Sequence, residues 1–222
     1  MRVLVTSALM RNRDGNVTTK PDNRLSVNVE SMFRLVNFRS DTTEVPMKSL
    51  TNSPHQELVW SQPQLAARFY ELRDDCDLYA TLKWERSTGS LAHGESDDGK
   101  WSFKRSGFLR PRVIVRELGS SSDLATFEAG WAGGRQLLFA DGHGYYWRQR
   151  SFWHNEWAFE NERSEIVAQF QTELFRLKQK AAFRLLPQAS LQTDRPLPAT
   201  LGMYLMILSN DDAAIVSIVA IS

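Results

Sequence analysis

Between residues 65 and 186 hydrophobic and polar positions alternate with a period of two, and clusters of turn-forming residues recur about every ten residues. That pattern predicts antiparallel strands joined as hairpins. The first hairpin is RFYELR, the turn DDCD and LYATLKWE, in which Leu78, Ala80, Leu82 and Trp84 alternate with Tyr79, Thr81, Lys83 and Glu85. SLAHGE turns at SDDG into KWSFKR, which sets Trp101 and Phe103 on one face. RVIVREL turns at GSSSD into LATFEAGW, RQLLFA turns at DGHG into YYWRQR, and WAFE turns at NERS into EIVAQFQ. The glycines of DGHG supply the positive φ that a tight reversal needs. With a last strand near KAAFRLL the count is about eleven, or twelve if HQELVW adds one. So many short strands without intervening helices predict a barrel or a sandwich.

The end of the chain, PLPATLGMYLMILSNDDAAIVSIVAIS, is its most apolar part. Residues 199–208 are apolar all round, as a helix surrounded by protein is, with Pro198 suited to its start and Asn210 to its stop. A bilayer span is not expected. The run would make a helix of only about 15 Å, and Asn210, Asp211 and Asp212 fall near the middle of the segment, where each Asp costs about 2.5–3.5 kcal/mol. The final IVSIVAI suits a strand, a second buried turn or an exposed tail. A lumen of about twelve strands is wider than its own side chains can fill, roughly eight being the limit, so a helix from the same chain could occupy it. The expected fold is therefore mainly β, a closed antiparallel barrel of about twelve strands around a buried hydrophobic C-terminal helix. The alternative is a two-sheet sandwich with the helix capping one edge.

Composition adds bounds. A chain of 222 residues, 42% hydrophobic, can bury about 70% of its unfolded surface and needs neither disulfides nor a structural metal. Residues 11–31 lack periodicity, MFRLVNF reads as a short strand and TNSPHQ as a linker, which divides the chain into an irregular extension, 1–59, and a barrel domain, 60–222. The apolar-leaning run at residues 3–10 has no small-x-small cleavage site, so a signal peptide is not expected. The single cysteine, Cys76, can form neither an internal disulfide nor a thiol-based zinc site, and a reducing, cytoplasmic setting is the simplest expectation. A net charge of +1 gives no global case for nucleic acid, so any anion binding requires a local patch.

The order of these elements, hairpin after hairpin and then one all-apolar helix, resembles the tubby C-terminal-like superfamily, which includes phospholipid scramblases and LURP-one-related proteins. FYELRDDCDLYATLKW, LLFADGHGYYW, WAFENERSEIVAQF and LPATLGMYLMILSNDDA carry the resemblance, which spans about residues 60–222 and rests on pattern rather than on a diagnostic motif. It implies a twelve-stranded barrel wrapped around a buried C-terminal helix. Fold analogy does not carry activity: tubby proteins bind phosphoinositides through a basic pocket, and scramblases are associated with calcium and phospholipid movement. This chain departs from the scramblase pattern in lacking a palmitoylation-type cysteine cluster, an acidic calcium loop before the terminal helix and a long spanning segment, which argues against scrambling.

The best local charge feature lies at residues 100–118, where Lys100, Lys104, Arg105, Arg110, Arg112 and Arg116 face only Glu117. Several cations around one turn could hold an anionic headgroup, each worth about 1 kcal/mol near a membrane. The ligand-binding candidates are Lys104, Arg105, Arg110, Arg112 and Arg116. The competing reading is a solvated strand face, because Arg112, Ile114 and Arg116 alternate with Val113 and Val115. Among His55, His93, His143 and His154, the pairs His143 with Asp141 and His154 with Glu156 match no zinc or iron spacing, and a histidine in DGHG suits a turn. Trp147, Trp153 and Trp157, with Phe152 and Phe159, suit a stacking platform, a membrane interface, or barrel wall and core.

Nothing in the chain forms a P-loop, a dinucleotide fingerprint or a nucleophile with its base. GWAGGR precedes a strand and reads as a turn. Asp97 with Asp98 falls in a turn and Asp211 with Asp212 after a helix, where solvent exposure and capping account for them. Cys76 sits among acids, a poor setting for a reactive thiolate. The expected function is a non-enzymatic binding or scaffold domain without metal, cofactor or nucleic acid, associating peripherally with anionic membrane lipids. The alternative is a lipocalin-like carrier of a small apolar ligand in the lumen, which requires that residues 199–208 leave the lumen free. A third possibility is an enzyme whose site assembles from distant loops.

Overall fold

In the computed structural model the alternating segments pair in chain order into one closed antiparallel barrel. The described residues are 46–50, 57–64, 67–107, 110–129, 134–151, 155–172, 180–186 and 196–219, all within the compact unit Glu44–Ser222. The strands are β1 (Glu57–Ser61), β2 (Phe69–Arg73), β3 (Leu78–Trp84), β4 (Ala92–Ser96), β5 (Gly99–Ser106), β6 (Arg112–Glu117), β7 (Ala125–Ala129), β8 (Arg135–Phe139), β9 (Gly144–Ser151), β10 (Glu156–Glu160), β11 (Ile166–Thr172) and β12 (Lys180–Leu185). HQELVW does contribute the twelfth strand. β1 closes the barrel by pairing with β12, from Glu57↔Arg184 to Ser61↔Lys180, and with β2. Closure leaves none of these twelve strands with an unpaired edge.

The period of two becomes an inside and an outside. Trp60, Tyr70, Leu72, Leu82, Trp84, Phe103, Val115, Phe127, Leu137, Tyr145, Phe159, Phe170 and Phe183 are buried and join one core with the C-terminal helix. That helix, α1 (Pro196–Val219), is buried at every position from 196 to 207. It packs against β3, β4 and β5 and also against β10, β11 and β12, so it lies within the barrel rather than on the edge of a sandwich. Approach is close. A Cβ on Gly94 of β4 would stand 2.9 Å from the Thr200 Cβ and 2.8 Å from the Phe103 ring, and one on Gly202 would overlap the Phe170 ring.

Two polar groups enter this core with partners. The Thr200 hydroxyl donates to the Leu197 carbonyl at 3.1 Å. Tyr204 stacks on Trp84, ring centroids 5.4 Å apart, and its hydroxyl donates to the Ser90 carbonyl at 2.6 Å. Burial pushes the Tyr204 phenol well above its ordinary pKa. Replacing Tyr204 with Phe is expected to lower stability by about 1 kcal/mol, the net worth of such a bond, measured as a lower urea midpoint at unchanged slope. An unchanged midpoint would show that the Ser90 carbonyl finds an equal partner in water.

Three sequence expectations require correction at the chain's ends. The helix does not stop at Asn210 but runs on to Val219. The propensity penalty of Asn is well under 1 kcal/mol, and Asp211 and Asp212 gain arginine partners in helical geometry. Asp211 and Asp212 accordingly lie inside the helix, not after it. Of IVSIVAI, residues 215–219 are helical and the remainder lies outside the described residues. The start also extends before residue 60: β1 begins at Glu57, Met47 bridges Leu78, the Lys48 N–H donates to the Leu78 carbonyl at 2.8 Å, and Leu50 is buried. MFRLVNF, TNSPHQ and most of GWAGGR lie outside the described residues.

Candidate functional site

In a barrel whose strands run alternately up and down, alternate connections share an end. The tight turns at 74–77, 97–98, 118–124, 140–143 and 161–165 lie at one end, where β12 also finishes. The described residues of the connections after β1, β3 and β5 lie at the other, where the helix leaves: Leu208 is half-buried, and Ser209 and Asn210 are exposed.

The two ends differ in charge. The five tight turns carry Asp74, Asp75, Asp77, Asp97, Asp98, Asp123, Asp141, Glu162 and Glu165 against Arg163 alone. The described connecting residues of the helix-exit end carry Arg68, Arg86 and Arg110 against Glu85, the adjoining ends of β5 and β6 add Lys104, Arg105 and Arg112, and the helix sets Asp211 and Asp212 against them. The net charge of +1 therefore conceals an acidic pole and a basic one.

The candidate cations divide accordingly. β5 ends and β6 begins at the basic end. Between them Gly107, at φ +88°, allows a reversal so tight that an added Cβ would stand 2.7 Å from the Arg110 carbonyl oxygen. This brings Lys104, Arg105, Arg110 and Arg112 to the helix-exit end. Lys104, Arg110 and Arg112 are exposed there and have no ion-pair partner among the described residues. Arg105 instead reaches the helix, its Nη1 lying 2.7 and 2.9 Å from the two carboxylate oxygens of Asp212. Arg116 does not join them: it lies four residues along β6, roughly 13 Å away, and pairs with Asp123 at 2.7 Å. Lys100 likewise sits toward the tight-turn end, 2.5 Å from Glu95.

Two cations of this end escaped the sequence reading. Arg68 lies 2.5 Å from Asp211, with its guanidinium 4.5 Å over the Trp84 ring, and Arg86 is exposed in the connection after β3. A signal existed in the alternation of acidic and basic connections along the chain, but it acquires meaning only when strand directions are assigned.

The other candidates resolve into structure. Trp147 stacks on Trp157 at 5.4 Å and packs against Phe159 and Phe170 inside the barrel, which makes it core rather than a platform, while Phe152 and Trp153 lie outside the described residues. His143 Nδ1 is 2.5 Å from an Asp141 oxygen and its ring stacks on Phe139. This hydrogen bond holds the Asp141 carboxyl below its usual range. His93 lies 4.0 Å from Glu85, and His55 and His154 fall outside the described residues. No group of three possible metal ligands occurs among the described residues. Asp98 accepts from the Ser49 hydroxyl at 3.1 Å, and Asp74 accepts from the backbone of Cys76 and Asp77 and from the Tyr79 hydroxyl, so both serve local structure. On the outer wall the buried Glu160 carboxylate is shared by Arg148 and Arg150, at 3.2 and 2.8 Å.

Among the described residues no helix is long and apolar enough to cross a membrane. In comparison with known proteins, no family model, no curated protein and no solved structure matches this chain.

Proposed function

We propose that this chain is a non-enzymatic binding or scaffold domain that docks peripherally on anionic lipid headgroups through the helix-exit end of its barrel. The observation that carries the reading is the charge polarity: exposed Lys104, Arg110 and Arg112 share one end, and the acidic tight turns face the opposite way. An anionic surface would attract one pole and repel the other, which orients the barrel as well as holding it. A cytoplasmic setting and kinship with the tubby-like superfamily belong to the same proposal, supported respectively by the lone exposed Cys76 and by the strand count with its central helix. The packing of α1 inside the barrel, against β3–β5 and β10–β12, counts against the carrier alternative.

Each cation near an anionic surface contributes about 1 kcal/mol, so reversing Arg110 and Arg112 to Glu is expected to weaken association with phosphatidylserine-containing vesicles by at least tenfold. Raising salt from 0.1 to 1 M, which shortens the screening length from about 10 to 3 Å, is expected to weaken wild-type binding. Reversing Arg116, at the far end beside Asp123, is expected to change little. Vesicle binding indifferent to salt and to Arg110→Glu/Arg112→Glu would overturn the reading.

A further inference from the structure

The helix places two carboxylates among the cations of the basic end. Asp212 takes both of its described contacts from Arg105, and Asp211 meets an Arg68 already held over Trp84. Both carboxylates stay about half exposed, at 51% and 43%, and the arginine side chains they meet keep 34% (Arg105) and 21% (Arg68) exposure, so an incoming anion reaches Arg105 more readily than Arg68. Neither acid stabilises the helix by position. Favourable acids belong in the first turn, and these stand well inside a 24-residue helix whose first turn has none.

We propose that Asp211 and Asp212 are built-in counter-ions: they neutralise Arg68 and Arg105 until lipid headgroups of net negative charge compete for the same guanidiniums, and so set how anionic a surface must be before the barrel docks. The inference rests on the membrane-surface reading above. Guanidinium suits such an exchange because its planar donors bind carboxylate and phosphate in the same bidentate manner.

The test uses the full chain with Asp211→Asn and Asp212→Asn together, and vesicles of phosphatidylcholine with increasing phosphatidylserine. The variant is expected to bind roughly ten- to thirtyfold more tightly, the gain for two cations restored near an anionic surface, and to reach half-saturation at a lower phosphatidylserine fraction. Pure phosphatidylcholine should show no gain. Removing two charges from the opposite pole, with Asp97→Asn and Asp98→Asn, should produce a much smaller gain, and an equal gain would overturn the inference in favour of net charge alone. Unchanged affinity in a variant whose wild type binds would overturn the inference and leave the membrane reading standing. Failure of both proteins to bind at any phosphatidylserine fraction would overturn the membrane reading and this inference with it. Should the double variant not fold, Asp212→Asn alone carries the test with a gain of roughly three- to fivefold, because its carboxylate is the more exposed.

Discussion

Ending the chain at Arg195 is expected to abolish cooperative unfolding and leave an insoluble product. The truncation removes Leu197, Leu201, Met203, Tyr204, Leu205, Met206 and Ile207, all buried within the barrel. At about 2 kcal/mol for each large apolar side chain the loss is on the order of 14 kcal/mol, as large as the whole net stability of an ordinary domain. It also leaves a twelve-stranded wall around a lumen that its own side chains cannot fill, lined by Trp84, Phe103, Phe170 and Phe183 with their partner gone. Thermal and urea unfolding of the truncated and full chains, with their solubilities, provides the check. A truncated chain that melts cooperatively near the full-length midpoint would mean that strand pairing alone sustains the barrel.

Replacing Gly202 with Ala is expected to destabilise the protein by about 1–2 kcal/mol, because an overpacking cost of up to about 3 kcal/mol outweighs the roughly 1 kcal/mol by which alanine is the better helix former. The sign follows from packing, because the new Cβ would fall within the van der Waals envelope of three Phe170 ring atoms. Phe170 is itself buried among Trp147 and Phe183 and has little room to withdraw. A double-mutant cycle with Phe170→Leu should therefore show a coupling of about 1–3 kcal/mol, with the smaller side chain rescuing part of the loss. If Gly202→Ala instead raised the urea midpoint, helix propensity would outweigh the contact and the helix would have to sit loosely in the wall.

The candidate site was legible only in part. Arg110 and Arg112 stand out locally because one short turn holds them, and the structure keeps them exposed on one rim. Arg116 looked equivalent by alternation, yet alternation says only which face a residue shares, not how far along the strand a single ligand can reach. Arg105 has the inward parity of Phe103, so its charge is turned to the helix. That partner is 107 residues away in sequence, and the partner of Arg68 is 143 residues away. No local pattern links such pairs.

Local pattern was enough to find most of the strands and the apolar helix and to count the strands to within one, because a two-residue period, turn chemistry and all-round hydrophobicity are local consequences of which side chains must leave water. The tertiary structure alone decided where that helix ends, which cations share an end and which carboxylates answer them. Those outcomes depend on strand direction and on closure of the barrel. They bring together groups that are remote along the chain, pairing Arg68 with Asp211 and Arg105 with Asp212 on a helix that runs through Asn210 to Val219.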